Sequence, residues 1–211
     1  MMRLLIMLIP TILLGGGFGI GFSVGGNYQW YDRDIEDLEA GDGMGFHLGL
    51  LIEKSITPSR FPVFLSSELD LGFCHTSYSW IIAQVGEVKT LNEISLNSLY
   101  LPLLLKFNLN TPPFGFSLGL GGYLLHNLSG RRKWRIGNIT LEDDLKDDEL
   151  ETDLGLLFRV SGTTRIAPMV YFQPRLALRY NLTPDENYTQ TSGEDEKEYG
   201  IEFGMGIGIG L

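Results

Sequence analysis

The 211-residue chain has one cysteine, Cys74, and three histidines, His47, His75 and His126. A single cysteine excludes a disulfide framework and any cysteine-rich zinc or iron–sulfur site. The histidines are too scattered for a metal cluster, and the sequence has no HExxH, GxSxG or P-loop motif. Basic residues are also scarce. Lys+Arg 16 against Asp+Glu 26 gives a formal net charge of −10, which opposes general nucleic-acid binding, since that requires a basic face. Beyond the N-terminus no stretch reaches ~18 uninterrupted apolar residues, so a bundle of membrane-spanning helices is disfavoured. Mean hydropathy is neutral, at +0.06.

Glycine, by contrast, is abundant: 27 of 211 residues, about 13% against a usual share of about 7%. Its placement follows a period of two. In the segment from Phe18 to Trp30, residues Phe18, Ile20, Phe22, Val24, Tyr28 and Trp30 share one face, and Gly19, Gly21, Ser23, Gly25, Asn27 and Gln29 share the other. Strict alternation of this length predicts a strand. The last segment repeats it, with Ile201, Phe203, Met205, Ile207, Ile209 and Leu211 opposite Glu202, Gly204, Gly206, Gly208 and Gly210. Six further segments lie between: 44–54, 63–79, 95–109, 114–128, 151–160 and 165–182. Leu51, Leu104 and Leu157 break the pattern by placing an apolar residue on the polar face.

Eight alternating segments predict an all-β fold, an eight-stranded antiparallel transmembrane β-barrel. Its connectors alternate in length. Short ones fall at 56–60, 110–113 and 161–164, and long polar ones at 31–43, 80–93, 129–150 and 183–197. Short turns at one end and long loops at the other are the pattern of outer-membrane barrels, whose short turns face the periplasm. On this reading both termini are periplasmic and the acid-rich loops are extracellular. A barrel must close, because unpaired backbone groups are intolerable in lipid. The rival reading is a soluble lipocalin-like barrel with apolar residues pointing inward. It would need a Lys/Glu-rich exterior that the chain largely lacks.

The N-terminus reads as an export signal. Arg3 precedes an apolar run from Leu4 to Leu14, matching the charged and hydrophobic regions of a signal peptide. As a helix this run would span about 16 Å, roughly half of a bilayer core. The expected organisation is a signal peptide over 1–16 and a barrel domain over 17–211.

The polar face carries Glu53, Glu68, Asp70, Lys106, Asp153, Arg159, Arg175, Arg179 and Glu202. Eight strands leave an interior just wide enough for side chains. Charges of both signs pointing inward predict a paired lumen network that seals the barrel, since an unpaired buried charge is costly. The alternative is a narrow pore. In the third long connector a basic cluster, Arg131, Arg132, Lys133 and Arg135 beside Trp134, is a candidate contact for lipopolysaccharide or a pairing partner for the acidic run that follows.

His126 and Ser129 define the one catalytic alternative. Lipid A deacylases are eight-stranded outer-membrane barrels in which a histidine near the outer rim activates a serine for acyl transfer. Here the spacing departs from their His-x-Ser-Asn pattern. A lipid A-modifying hydrolase is therefore the runner-up to a barrel without catalysis. No cofactor or metal is expected.

The stretch LNSLYLPLLLKFNL (96–109) resembles the "leucine-x-x-proline-leucine-leucine-x-lysine" strand of the outer membrane β-barrel domain family of Bacteroidota, which includes the gliding and type IX secretion protein PorT. FGFSLGLGGYL (114–124) is similar to that family's next, glycine-rich strand. DLGLLFRV (153–160), QPRLALRYNL (173–182) and YGIEFGMGIGI (199–209) continue the likeness over nearly the whole mature chain. The terminal Leu211 departs from the aromatic residue favoured by many outer-membrane proteins. The resemblance implies an outer-membrane protein and carries over no catalytic residue. The expected work is structural anchoring, surface interaction or support of an envelope or secretion machine, with outer-membrane lipids, the barrel-assembly machinery and envelope or secretion proteins as expected partners.

Overall fold

The structure is a computed structural model and describes residues 17–32, 42–59, 61–85, 88–111, 113–146, 149–183 and 197–210. The proposed signal segment, 1–16, lies outside the described residues, as does Leu211. Nine strands are present among the described residues: β1 (Phe18–Asp32), β2 (Asp42–Ser55), β3 (Val63–Val85), β4 (Val88–Thr111), β5 (Phe114–Ile136), β6 (Ile139–Asp144), β7 (Thr152–Ala167), β8 (Val170–Asn181) and β9 (Lys197–Gly210). Eight of them, all except β6, form an antiparallel ring that closes where β1 pairs with β9. The ninth strand, β6, pairs only with the upper part of β5.

Exposure decides which of the two alternating faces is outside. Phe22 (73% exposed), Leu120 (65%) and Phe203 (59%) point outward, whereas Glu68, Lys106 and Gln173 are almost completely buried in the lumen. In water such an exterior would be a very large apolar patch. In lipid it is the expected surface. The soluble lipocalin-like alternative, with an apolar interior, is thereby excluded. The three pattern-breaking leucines, Leu51, Leu104 and Leu157, are inward and fully buried. They keep the register and add apolar filling to the lumen.

Two of the expected long loops are strand instead. β3, β4 and β5 contain 23, 24 and 23 residues. At about 3.3 Å per residue, 23 residues extend roughly 75 Å, twice what a tilted crossing of about 9–11 residues needs. The connector expected at 80–93 is a continuation of the β3–β4 ladder up to the Val85–Val88 pair. That at 129–150 holds the β5–β6 hairpin, which turns at Gly137 with φ of 56°. A left-handed residue suits such a tight hairpin. The turn expected at 161–164 is also displaced. β7 runs on to Ala167 and pairs with Val170 across a turn in which Met169 has φ of 65°. Alternation fades at such ends because both faces meet solvent, so the sequence pattern underestimates strand length.

Candidate functional site: the barrel lumen and outer rim

Glu68 on β3 is the hub of the lumen. Its carboxylate accepts from Lys106 Nζ of β4 at 2.7 Å and from Arg159 Nη1 of β7 at 2.5 Å, and Arg175 Nη1 of β8 lies 3.9 Å away. Lys106 also donates to Glu53 of β2 at 2.9 Å. Arg175 donates to Asp70 at 3.4 Å, and Asp70 also accepts from Ser23 of β1 at 2.7 Å. Arg159 Nη2 lies 3.8 Å from Glu202, which accepts from Arg179 at 3.1 Å. Eight of the nine charged residues singled out in the sequence are thus linked in one network of four acids and four bases. Asp153 lies near the upper rim, half-buried, and accepts at 3.3 Å from Asn181, which also donates to Glu198 at 2.8 Å.

This balance is the physical condition for burying so much charge. A lone ion in such a space costs several kcal/mol, and partners on several strands offset that cost. The network also joins strands that share no ladder, because β3 and β7 meet only through the lumen.

The reading of charged residues missed two components, Glu198 of β9, which accepts from Asn181 at 2.8 Å, and tyrosine. Tyr78, Tyr100 and Tyr123 are buried in the lumen, and the Arg179 guanidinium lies 4.7 Å from the Tyr123 ring centroid and 5.3 Å from that of Tyr100. Such cation–π contacts shield a charge that has few acceptors. The inward glycines make room for these rings. A methyl group at Gly43 would strike Tyr78, at Gly155 it would strike Tyr123, at Gly208 Tyr171, and at Gly206 the Arg175 guanidinium. The glycine face is therefore filled by the neighbouring strand's large side chain. The signal was present as inward glycines registered beside inward tyrosines, but it needs the strand pairing to be read.

At the outer rim the extra residue Leu128 shifts the β4–β5 register, so Asn97 pairs with Ser129 while Ser98 pairs with Asn127. This bulge leaves both His126 and Ser129 exposed. They do not form a base–nucleophile pair. His126 Nδ1 is 2.8 Å from Thr152 Oγ1, and Ser129 Oγ accepts from Asn97 Nδ2 at 3.0 Å. Asn97 Oδ1 is itself 2.8 Å from His75 Nδ1.

Above this row the basic cluster is matched by acids. Lys133 pairs with Glu142 at 2.8 Å, Arg131 with Asp144 at 3.2 Å, Arg132 with Glu149 at 3.2 Å and Arg135 with Glu93 at 3.7 Å. A hydrogen bond from Lys133 holds the Glu142 carboxyl below its ordinary range. The Lys146 backbone N–H, and then Arg132, do the same for Glu149.

No protein-family model matches the chain, and no curated protein matches it in sequence. Solved structures align with it over most of its length. The outer membrane protein OprG from Pseudomonas aeruginosa aligns with a TM-score of 0.52 at 14% identity, covering 93% of this chain and 96% of that one. A major outer membrane protein from Thermus thermophilus aligns at 0.47 and 13% identity, covering 91% and 99%. Ail, the attachment invasion locus protein of Yersinia pestis, aligns at 0.42 and 11%, covering 91% and 99%, in a complex with a heparin analogue. Closed ring, apolar exterior and polar lumen define the class: an outer-membrane β-barrel of eight strands, with one additional strand above the ring.

Proposed function

We propose that this protein is a sealed outer-membrane anchor that displays the extended β3–β6 sheet at the cell surface for interaction, and that it performs no catalysis. The single observation carrying this reading is the charge-balanced network that crosses the lumen from Glu53 to Arg179. It favours a plug over a narrow pore. Pairing of His126 with Thr152, and of Ser129 with Asn97, argues against a lipid A hydrolase. The apolar run behind Arg3 supports export by a cleaved signal peptide over 1–16, and barrel-assembly machinery would then insert the domain 17–211. The likeness of 96–109 to the PorT-containing family supports a role in the envelope or in secretion. Outer-membrane lipids cover the apolar belt. Lipopolysaccharide would meet Arg131, Lys133 and Arg135 just above it, once their acidic partners yield or bridge through cations. Reconstitution in planar bilayers tests the reading. Absence of stepwise conductance is expected, and reproducible single-channel steps would favour the pore.

A further inference from the structure

Below the ion network, toward the end with the short turns, the lumen opens into a cavity of about 800 Å³. Its origin is in the sequence. The inward positions at this level include the small residues Gly19, Gly115, Thr163 and Gly210, whereas the level above carries Lys106, Glu68 and Arg159. A methyl group at Gly210 would meet nothing within 4 Å. The volume falls within the range of pockets that enclose small molecules, about 300–1,000 Å³.

The polar groups facing this space are only partly satisfied. Tyr171 Oη is buried without a hydrogen-bond partner among the described residues. Gln173 accepts from Arg175 Nη2 at 2.9 Å through its carbonyl, and among the described residues its amide N–H groups have no hydrogen-bond acceptor. Asn108 donates its amide to Ser66 at 2.8 Å, and among the described residues its carbonyl oxygen accepts no hydrogen bond. Glu53 is the one carboxylate of the network with appreciable access, its side chain 19% exposed, and each of its oxygens accepts one bond, from Ser66 and from Lys106. Donors and acceptors therefore alternate around one cavity. A buried polar atom left unpaired costs about 1–3 kcal/mol, so a ligand that satisfies Tyr171 gains from doing so.

Charge narrows the ligand class. Glu53 and Lys106 lie side by side at the inner end. An anion there would meet the carboxylate and a cation would meet the ammonium. Hydroxyl groups both donate and accept, matching the alternation without bringing net charge. We infer that this vestibule binds a neutral polyhydroxylated molecule of mono- or disaccharide size, entering from the periplasmic side, with Tyr171, Gln173, Asn108 and Glu53 as its hydrogen-bonding groups.

The test is calorimetric titration of the folded protein in amine-oxide micelles, which lack sugar headgroups, using glucose and maltose as probes and gluconate and glucosamine as charged comparisons. Saturable one-site binding of at least one neutral sugar is expected. Tyr171→Phe should weaken it about tenfold, the size of one hydrogen bond. Gly210→Leu should abolish it by filling the cavity, while the heat-modifiable gel mobility of the fold is retained. The Tyr171→Phe result stands alone if the second variant folds poorly. Absence of saturable binding by both neutral sugars would overturn the inference. So would unchanged affinity in Tyr171→Phe, or tighter binding of gluconate or glucosamine.

Discussion

Arg175 on β8 reaches Asp70 on β3, Nη1 to Oδ2 at 3.4 Å. In the ring of eight strands these two are four apart, on opposite walls. A contact across the full width leaves no open bore at that level. With Arg159 and Glu68 beside it, the pair converts a cylinder into a cross-braced solid. Arg175→Ala combined with Arg159→Ala is expected to introduce conductance steps in planar bilayers where the parent protein shows none. A double variant as silent as the parent would show that other side chains seal the lumen.

Glu68 is the acid on which three cations converge. Glu68→Ala leaves Lys106, Arg159 and Arg175 short of negative charge in a buried space. Breaking a buried pair in this way costs about 3–5 kcal/mol. Urea unfolding in micelles should show a loss of that size.

The glycines fall into two classes with opposite predictions. Gly155→Ala places a methyl group against the Tyr123 ring and the Tyr180 carbonyl oxygen, and this overpacking should destabilise by about 1–3 kcal/mol. Gly210→Ala meets open space and should change stability by less than about 0.5 kcal/mol. Thermal loss of the fast-migrating folded band on gels compares the two directly.

The β5–β6 hairpin has an acid-side limit. Glu142 and Glu149 sit below the ordinary value of 4.5 because Lys133, the Lys146 backbone and Arg132 favour their charged forms. A carboxyl lowered in the folded state stabilises the fold above 4.5 and loses that contribution as pH falls through its lowered value. Amide-exchange protection over 131–144 should therefore hold at pH 6 and decline only once pH drops below 4.5. Protection factors in the lumen strands should change less. Equal loss in both regions would contradict a local effect of the hairpin pairs.

Much of this architecture was legible in alternation alone. The order Phe18, Ile20, Phe22, Val24 fixed one face of β1, and Leu99 to Phe107 did so for β4, because a pleated strand sends alternate residues to opposite sides. Charged residues such as Glu68 and Arg159 announced the lumen by their rarity among leucines. What alternation could not supply was distance between strands. Arg175 and Asp70 are 105 residues apart, and their contact depends on ring closure. The Tyr123–Gly155 and Tyr171–Gly208 fits depend on lateral register in the same way. Leu128 illustrates a third limit. One extra residue moved Ser129 onto the outer face, and a strict period of two cannot anticipate a bulge.

The central claim is that this barrel is apolar outside and polar inside, and so belongs in lipid. The most direct measurement is the effect of Leu120→Arg on folding into phospholipid vesicles, set beside Leu120→Ala. Leu120 is outward and 65% exposed. If it faces the bilayer near mid-depth, arginine should cost about 2–4 kcal/mol in vesicle-folded stability. A stability indistinguishable from Leu120→Ala would contradict the account, as would a soluble folded monomer in the absence of lipid or detergent.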